Sequence, residues 1–385
     1  MTLLETLGRM IAHPSVSDRP LEALASEVAQ HAEDLGFVSE LRVDPDDPGK
    51  ANVISSIGPP GEDGLILSGH LDVVPVVGQP WHSDPFVLTA RDDRLVGRGT
   101  ADMKGFVACA LHALARIDLS ELRQRLVLVW THDEEIGCVG SAKLADALGE
   151  RPQDWPSEAL IGEPTDFRIF RMHPGHVGLT ITTHGESAHS SKPDLGASAI
   201  RAMGRVIALL ERLEVELRSV TRGDLRGMLD RPFVTMNMGT ISGGTAINLV
   251  PDRCELQVGY RPLPGDDPVA VRWLITERLG ALKLPPGTSV SWRPGTVTPA
   301  MLTPDGTALQ GVIESCCPEA RGGTLAASFG TDGGNLERLG IRSLIFGPGS
   351  IDVAHKANES VSRGALDQAV DVIERIVRVR CAARG

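Results

Sequence analysis

RLVLVWTHDEEIG, residues 125–137, is the stretch on which the fold turns. Its first half is a short apolar run that reads as a buried strand. Its second half sets Glu134 beside Glu135, although adjacent carboxylates repel each other. A turn that leaves both in water is the plain explanation, and only the rest of the chain supplies another. Before it, ANVISSIG (51–58) and LILSGHLDVV (65–74) read as strands, and after it EALIGEP (158–164) and SLIFGPGS (343–350) do the same. Met103, Phe106, Val107, Ala110, Leu111, Leu114 and Ile117 mark one apolar helix face between two of these strands. Leu3, Leu4, Leu7 and Ile11 mark a first amphipathic helix, and residues 362–380 read as a last one. This alternation predicts an α/β sheet covered on both faces.

The middle of the chain follows another rule. HVGLTITTHGE (176–186), FVTMNMGTIS (233–242), RCELQVGYR (253–261) and TSVSWRP (288–294) read as strands. SAIRAMGRVIALLERLEVEL (198–217), with Ile200, Met203, Ile207 and Leu210 on one face, and VAVRWLITERLGALK (269–283) read as helices. The order β-α-β-β-α-β is the split βαβ, ferredoxin-like α+β pattern. A chain of 385 residues has room for two domains. We therefore expect a discontinuous α/β domain, 1–177 with 295–385, interrupted by an inserted unit, 178–294.

Composition removes several classes of function. A formal net charge of −12 without a long basic run argues against nucleic acid. No apolar run approaches the roughly 20 residues of a membrane span. MTLLETLGRMIAHPSVSDRP lacks a basic n-region and a continuous apolar segment, so no signal peptide and a cytoplasmic location are expected. Six cysteines without a CxxC motif read as free thiols.

Polar groups gather after the predicted strands: His70 and Asp72 in SGHLD, Asp102 before a helix in GRGTADMKG, Glu134 and Glu135 in THDEEIG, Glu163 in IGEPTD, and His355 in GPGSIDVAHKANE. Taken singly, His70 reads as a surface or core histidine, Asp102 as an N-cap, and Glu163 as a turn residue. In open α/β sheets, however, ligands collect at the carboxyl ends of parallel strands. Two histidines and three or more carboxylates on one rim suit Zn²⁺, Mn²⁺ or Co²⁺. One carboxylate bridging two ions gives the two-metal hydrolase arrangement.

HLDVVP, GRGTADMKG, DEEIG, GEPT, GESAHSSKP and GPGSIDVAHKANE together resemble the M20 family of metallo-aminoacylases and peptidases, in order and over nearly the whole chain. Within it, GQPWHSDPF (78–86), GRGTADMKGF (97–106), MHPGH (172–176) and GPGSI (347–351) look most like the bacterial acetylornithine deacetylase group. The resemblance implies a zinc-hydrolase (phosphorylase/hydrolase-like) catalytic domain with an inserted lid and dimerisation domain. It implies two divalent ions per chain, zinc with cobalt also able to support activity. His70, Asp102 and Glu163 would hold one ion, and Asp102, Glu135 and His355 the other, across a cis peptide after Asp102. Asp72 would accept a hydrogen bond from the far nitrogen of His70, and Glu134 would be the general base. His189 would reach the active site of the other subunit of a homodimer and steady the oxyanion. Arg261 would clamp a substrate carboxylate, with Asn248, Gly330 and Thr331 facing substrate. His173 and His176 read as pocket candidates and His132 as structural.

Ala357-Asn358 and Pro174 depart from the deacetylase pattern and leave the substrate open. N²-acetyl-L-ornithine, another N-acyl amino acid such as N-succinyl-diaminopimelate, and a dipeptide or carboxypeptidase substrate all compete. A non-catalytic protein on a hydrolase fold would be expected to lack a ligand or Glu134, and this chain lacks neither.

Overall fold

The computed structural model describes residues 1–17, 19–320 and 325–382. It forms two compact units. One comprises Met1–Met172, Met301–Ala327 and Thr331–Gly385, the other His173–Ala300 with Ser328–Gly330. The joins thus fall at 172/173 and 300/301 rather than 177/178 and 294/295. One cause is that the strand built on TSVSWRP continues to Thr298.

The first unit is built on a nine-stranded sheet. Its centre runs Leu126–Thr131, Leu65–His70, Glu158–Ile161, Arg342–Ile345, all parallel. Ala51–Ile57 and then Val38–Val43 extend it antiparallel on one side. Phe170–His173 and Met301–Leu302 extend it on the other, and Leu325–Ala326 pairs with Phe170–His173. The first three central strands are buried at every position, as parallel strands covered on both faces must be. Helix Lys104–Leu114 is buried on nearly its whole surface, since helices Leu3–Ala12 and Arg363–Val377 pack on it from outside. Such a helix needs an apolar surface all round, and each fully buried Leu, Val or Phe contributes about 1.5–3 kcal/mol. Gly162 is the fitting piece: a Cβ there would lie 1.9 Å from the Phe106 ring. Only glycine lets the helix seat against that strand end.

The second unit is a four-stranded antiparallel sheet, in spatial order Thr235–Gly243, Arg253–Arg261, His176–His184, Ser289–Thr298. Helices Ala199–Ser219 and Ala270–Ala281 complete the β-α-β-β-α-β order. Leu179, Ile181, Leu256 and Val258 pack with Met203, Val206, Leu210, Ile275 and Leu279 in its core. One detail differs from expectation. Ile200 is 46% exposed, and the buried stripe is Ala199, Ala202, Met203, Val206, Leu209, Leu210 and Leu213. Small alanines, not the larger isoleucine, face inward there, and the Thr183 hydroxyl donates to the Ala199 carbonyl at 2.9 Å.

All six cysteines are free and buried. Among the described residues no helix is long and apolar enough to cross a membrane.

Candidate metal centre

Parallel pairing carries four of the predicted groups to one rim. His70 ends its strand, Glu134 and Glu135 follow Leu126–Thr131, and Glu163 follows Glu158–Ile161. His355 stands at φ 63 on the loop after Arg342–Ile345. Asp102 enters just ahead of helix Lys104–Leu114, and the Asp102–Met103 peptide is cis.

Asp102 is the hub. Its Oδ1 lies 3.0 Å from His70 Nε2 and its Oδ2 3.2 Å from His355 Nε2. His355 Nε2 is also 2.8 Å from Glu135 Oε2. On the other side, His70 Nε2 lies 3.9 Å from Glu163 Oε1 and 4.0 Å from Glu134 Oε2. Ligand atoms of His70, Glu134 and Glu163 fall within 4.8 Å of one another, as do those of His70, Asp102 and Glu135. The His70 side chain is 1% exposed and that of His355 53%, so the cluster opens to solvent on the His355 side.

Asp72 does a different job from the one the resemblance implies. His70 Nδ1 donates to the backbone carbonyl of Asp72 at 2.9 Å, while the nearer carboxylate oxygen is 3.6 Å away. The carboxylate is occupied elsewhere: Oδ1 accepts the Glu134 N–H (3.0 Å), and Oδ2 accepts the Glu135 N–H (3.2 Å) and the Ser17 hydroxyl (2.8 Å). Strand geometry supplies the tautomer of His70, and the Asp72 side chain instead holds the turn carrying the two glutamates. The Cys138 thiol adds a donor to Glu134 Oε1 at 3.3 Å. Behind the turn, Lys50 Nζ pairs with Asp133 Oδ1 at 2.5 Å and donates to the Ser17 carbonyl.

The electrostatics follow from packing acids together. Burial raises Glu134 well above its usual range, with Glu135, Asp332 and Asp102 adding to the rise and His70 opposing it. Burial and then Asp102 raise Glu163 well above the usual value, and they raise Glu135 to about 7. Burial lowers His70, but the Asp102 hydrogen bond and the charges of Glu163 and Glu134 outweigh it, so the net shift is upward. Hydrogen bonds to Asp102 and Glu135 carry His355 to about 10. Burial opposes ionisation of Asp102, but the two histidines hold it well below the usual carboxylate range. A site that raises its own imidazoles is short of positive charge. Imidazole nitrogens and carboxylate oxygens at this spacing form a donor set that fits divalent cations.

The remaining predicted residues lie elsewhere. His189, Asn248, Arg261 and Gly330 belong to the second unit, and Thr331, fully buried, belongs to the first. The Thr331 hydroxyl accepts the Gly333 N–H at 3.1 Å. His189 and Asn248 are neighbours, since their segments pair through Ser190 N–H to the Asn248 carbonyl at 2.9 Å. His189 Nδ1 lies 2.7 Å from the Ser191 hydroxyl oxygen and 3.2 Å from the Ser191 backbone nitrogen. Arg261 is half-buried, and burial lowers its pKa while leaving it a cation. Burial also pushes nearby His173 down to about 4 and lowers His176, with Arg261 adding to both. His132 is buried against Asp133 Oδ2 (3.2 Å) and Asp44 Oδ2 (3.7 Å). Sequence reasoning missed Asp332, whose Oδ2 accepts the Thr131 hydroxyl at 2.6 Å, and Glu359, whose carboxylate meets the Asp102 loop. Glu359 closes the motif GPGSIDVAHKANE, and Asp332 directly follows Thr331.

A carboxylate and imidazole cluster at the carboxyl rim of a parallel sheet, with a further glutamate beside it, defines a metal-dependent hydrolase. The chain belongs to peptidase family M20/M25/M40, whose pattern matches residues 66–379. It is 34% identical to an acetylornithine deacetylase of Proteus mirabilis (strain HI4320), covering 99% of this chain and 97% of that protein. It is 35% identical to an acetylornithine deacetylase of Myxococcus xanthus, covering 99% and 98%. In fold it is similar to an M20 family metallo-carboxypeptidase from Sulfolobus solfataricus, with TM-score 0.81, 19% identity and 99% of each chain covered.

Proposed function

We propose that the protein removes the acyl group from an N-acyl amino acid, with N²-acetyl-L-ornithine plus water giving L-ornithine plus acetate. One observation carries the reading: Glu135, Glu163 and His355 converge on Asp102 and His70 as five ligand-type side chains in one cluster, with Glu134 Oε2 only 4.0 Å from His70 Nε2. The names of the full-length relatives favour the acetylated amino acid. The same site on a carboxypeptidase-like fold supports a second reading, a metallo-peptidase acting on a free carboxyl terminus.

His70, Asp102 and Glu163 would hold one divalent ion, and Asp102, Glu135 and His355 a second, with zinc or cobalt suited to these donors. Ions so held supply Lewis acidity, lowering the pKa of water and countering charge on the acyl oxygen. Glu134 takes a proton from the attacking water as its oxygen bonds to the acyl carbon, then delivers it to the amine nitrogen as the C–N bond breaks. Asp72 keeps Glu134 aimed through the backbone of the turn. Arg261 offers a guanidinium to the substrate α-carboxylate. His189 donates to the acyl oxygen from the second subunit of a homodimer. Support for that assembly is an edge strand, Thr235–Gly243, with exposed Ile241 and, beyond it, fully exposed Ile247. The released ornithine would feed arginine biosynthesis. The deciving test is turnover of metal-loaded protein on N-acetylornithine, N-acetylmethionine, N-succinyl-diaminopimelate and dipeptides. Preference for the acetylated amino acid supports the reading, and dipeptide cleavage without deacetylation overturns it.

A further inference from the structure

Three motifs of the first unit meet behind the metal centre: GQPWHSDPF (78–86), the Asp102 loop, and the end of the His355 loop. Their junction is a buried ion pair, Glu359 and Arg98, each 1% exposed. Glu359 Oε1 accepts three backbone N–H groups, from Gly99 (3.1 Å), Ala101 (2.9 Å) and Asp102 (3.0 Å). Its Oε2 accepts Arg98 Nη1 at 2.6 Å. Arg98 Nη2 donates to Gln79 Oε1 at 2.7 Å, and its guanidinium lies 5.2 Å from the Trp81 ring centroid. Gln79 Nε2 then donates to the His355 carbonyl at 2.9 Å. Asn358, one of the departures from the deacetylase pattern, accepts the His82 N–H at 2.9 Å and donates its amide to the Pro80 carbonyl at 3.4 Å. An aspartate at 358 has no N–H for that second bond.

We propose that Glu359 is a positioning residue for the metal centre: through Arg98 and Gln79 it fixes the Asp102 backbone and the His355 backbone relative to one another. This inference rests on the dinuclear reading above. Only the second ion site uses both Asp102 and His355, and His355 is the exposed ligand, on the loop between Arg342–Ile345 and Ser360–Ser362. The first site shares Asp102 but takes its other two ligands, His70 and Glu163, from the ends of neighbouring parallel strands or just beyond them, which the clamp does not touch. Removing the clamp therefore weakens one ion far more than the other. Glutamine at 359 cannot substitute. It has one oxygen where two are needed, so its NH₂ must face either Arg98 or the three N–H groups.

Two-step Co²⁺ titration of the apoprotein, followed by calorimetry and visible absorption, tests this with no reference to turnover. For Glu359→Gln, the second equivalent should weaken roughly 10–100-fold, the usual cost of losing an outer hydrogen-bonding partner of a metal site, and the first, which shares only Asp102 with the clamp, should weaken much less. Gln79→Ala cuts only the His355 end and lies nearer the surface, so it remains informative if Glu359→Gln fails to fold. It should show the same selective loss, smaller in size. Equal weakening of both equivalents, or two wild-type affinities in Gln79→Ala, would overturn the proposal. A wild-type protein that takes up fewer than two equivalents would overturn the dinuclear reading itself, and the proposal with it.

Discussion

Asp72→Asn separates two accounts of a buried carboxylate. If the side chain oriented His70, the variant would lose metal at His70. The structure assigns that task to the Asp72 carbonyl, which any side chain preserves. The carboxylate instead receives the N–H groups of Glu134 and Glu135 on different oxygens, at 3.0 and 3.2 Å. Asparagine has one acceptor oxygen, so at least one of these N–H groups must face an NH₂. An unsatisfied buried donor costs about 1–3 kcal/mol. If all of that falls on the ordered state of the turn, the correctly placed fraction drops by roughly 5–150-fold. We therefore expect kcat to fall by one to two orders of magnitude, while the ion at His70, Asp102 and Glu163 is retained, so that elemental analysis finds at least one metal per chain. Activity within twofold of wild type, or loss of the His70-held ion, would refute this reasoning.

Other perturbations have equally direct outcomes. His173 is buried with its pKa lowered to about 4, so the unfolded chain binds its proton first as pH falls. Its stability contribution is complete above the unfolded value near 6.5 and is lost towards the folded value, a loss of about 2 kcal/mol between pH 7.5 and 5. Urea unfolding of His173→Gln should therefore fall less steeply over that range than wild type, and parallel curves would place the imidazole in water. Arg261→Ala should raise KM for substrates with a free α-carboxylate much more than for their amides, and equal effects on both would remove the clamp role. His189→Ala should stay metal-loaded and lose about 10²–10³ in rate. Mixing it with Glu134→Gln subunits should restore activity, and no recovery in proven heterodimers would exclude action across the interface.

Much of the fold was legible because its signals are periodic. The run RCELQVGYR alternates, and the strand Arg253–Arg261 matches it. LVLVWT is almost wholly apolar and LILSGH opens on three apolar residues, and both are fully buried parallel strands. Two of the elements not read show partial burial or small residues. Helix Glu22–Asp34 buries Leu24, Ala25, Val28, Ala29 and Ala32, a stripe mostly of alanine, and strand Val38–Val43 is a largely exposed edge. At the site, ligand-type residues announce themselves by chemistry and by their place after a strand. Supporting residues do not. Glu359 and Asp332 are ordinary acids in sequence, and their roles exist only once a loop 257 positions away folds onto Glu359 and Thr131 comes to rest against Asp332. The exchange of roles between the Asp72 carbonyl and carboxylate is likewise invisible without coordinates.

The central claim is that the adjacent glutamates divide the work, Glu135 binding metal and Glu134 carrying the proton. Metal stoichiometry and single-turnover rate measured together on Glu134→Gln and Glu135→Gln test it most directly. The account predicts that Glu134→Gln keeps two ions per chain while the rate falls by at least about 10²–10⁴-fold, and that Glu135→Gln loses an ion. A metal-depleted Glu134→Gln beside a fully loaded but inactive Glu135→Gln would contradict it.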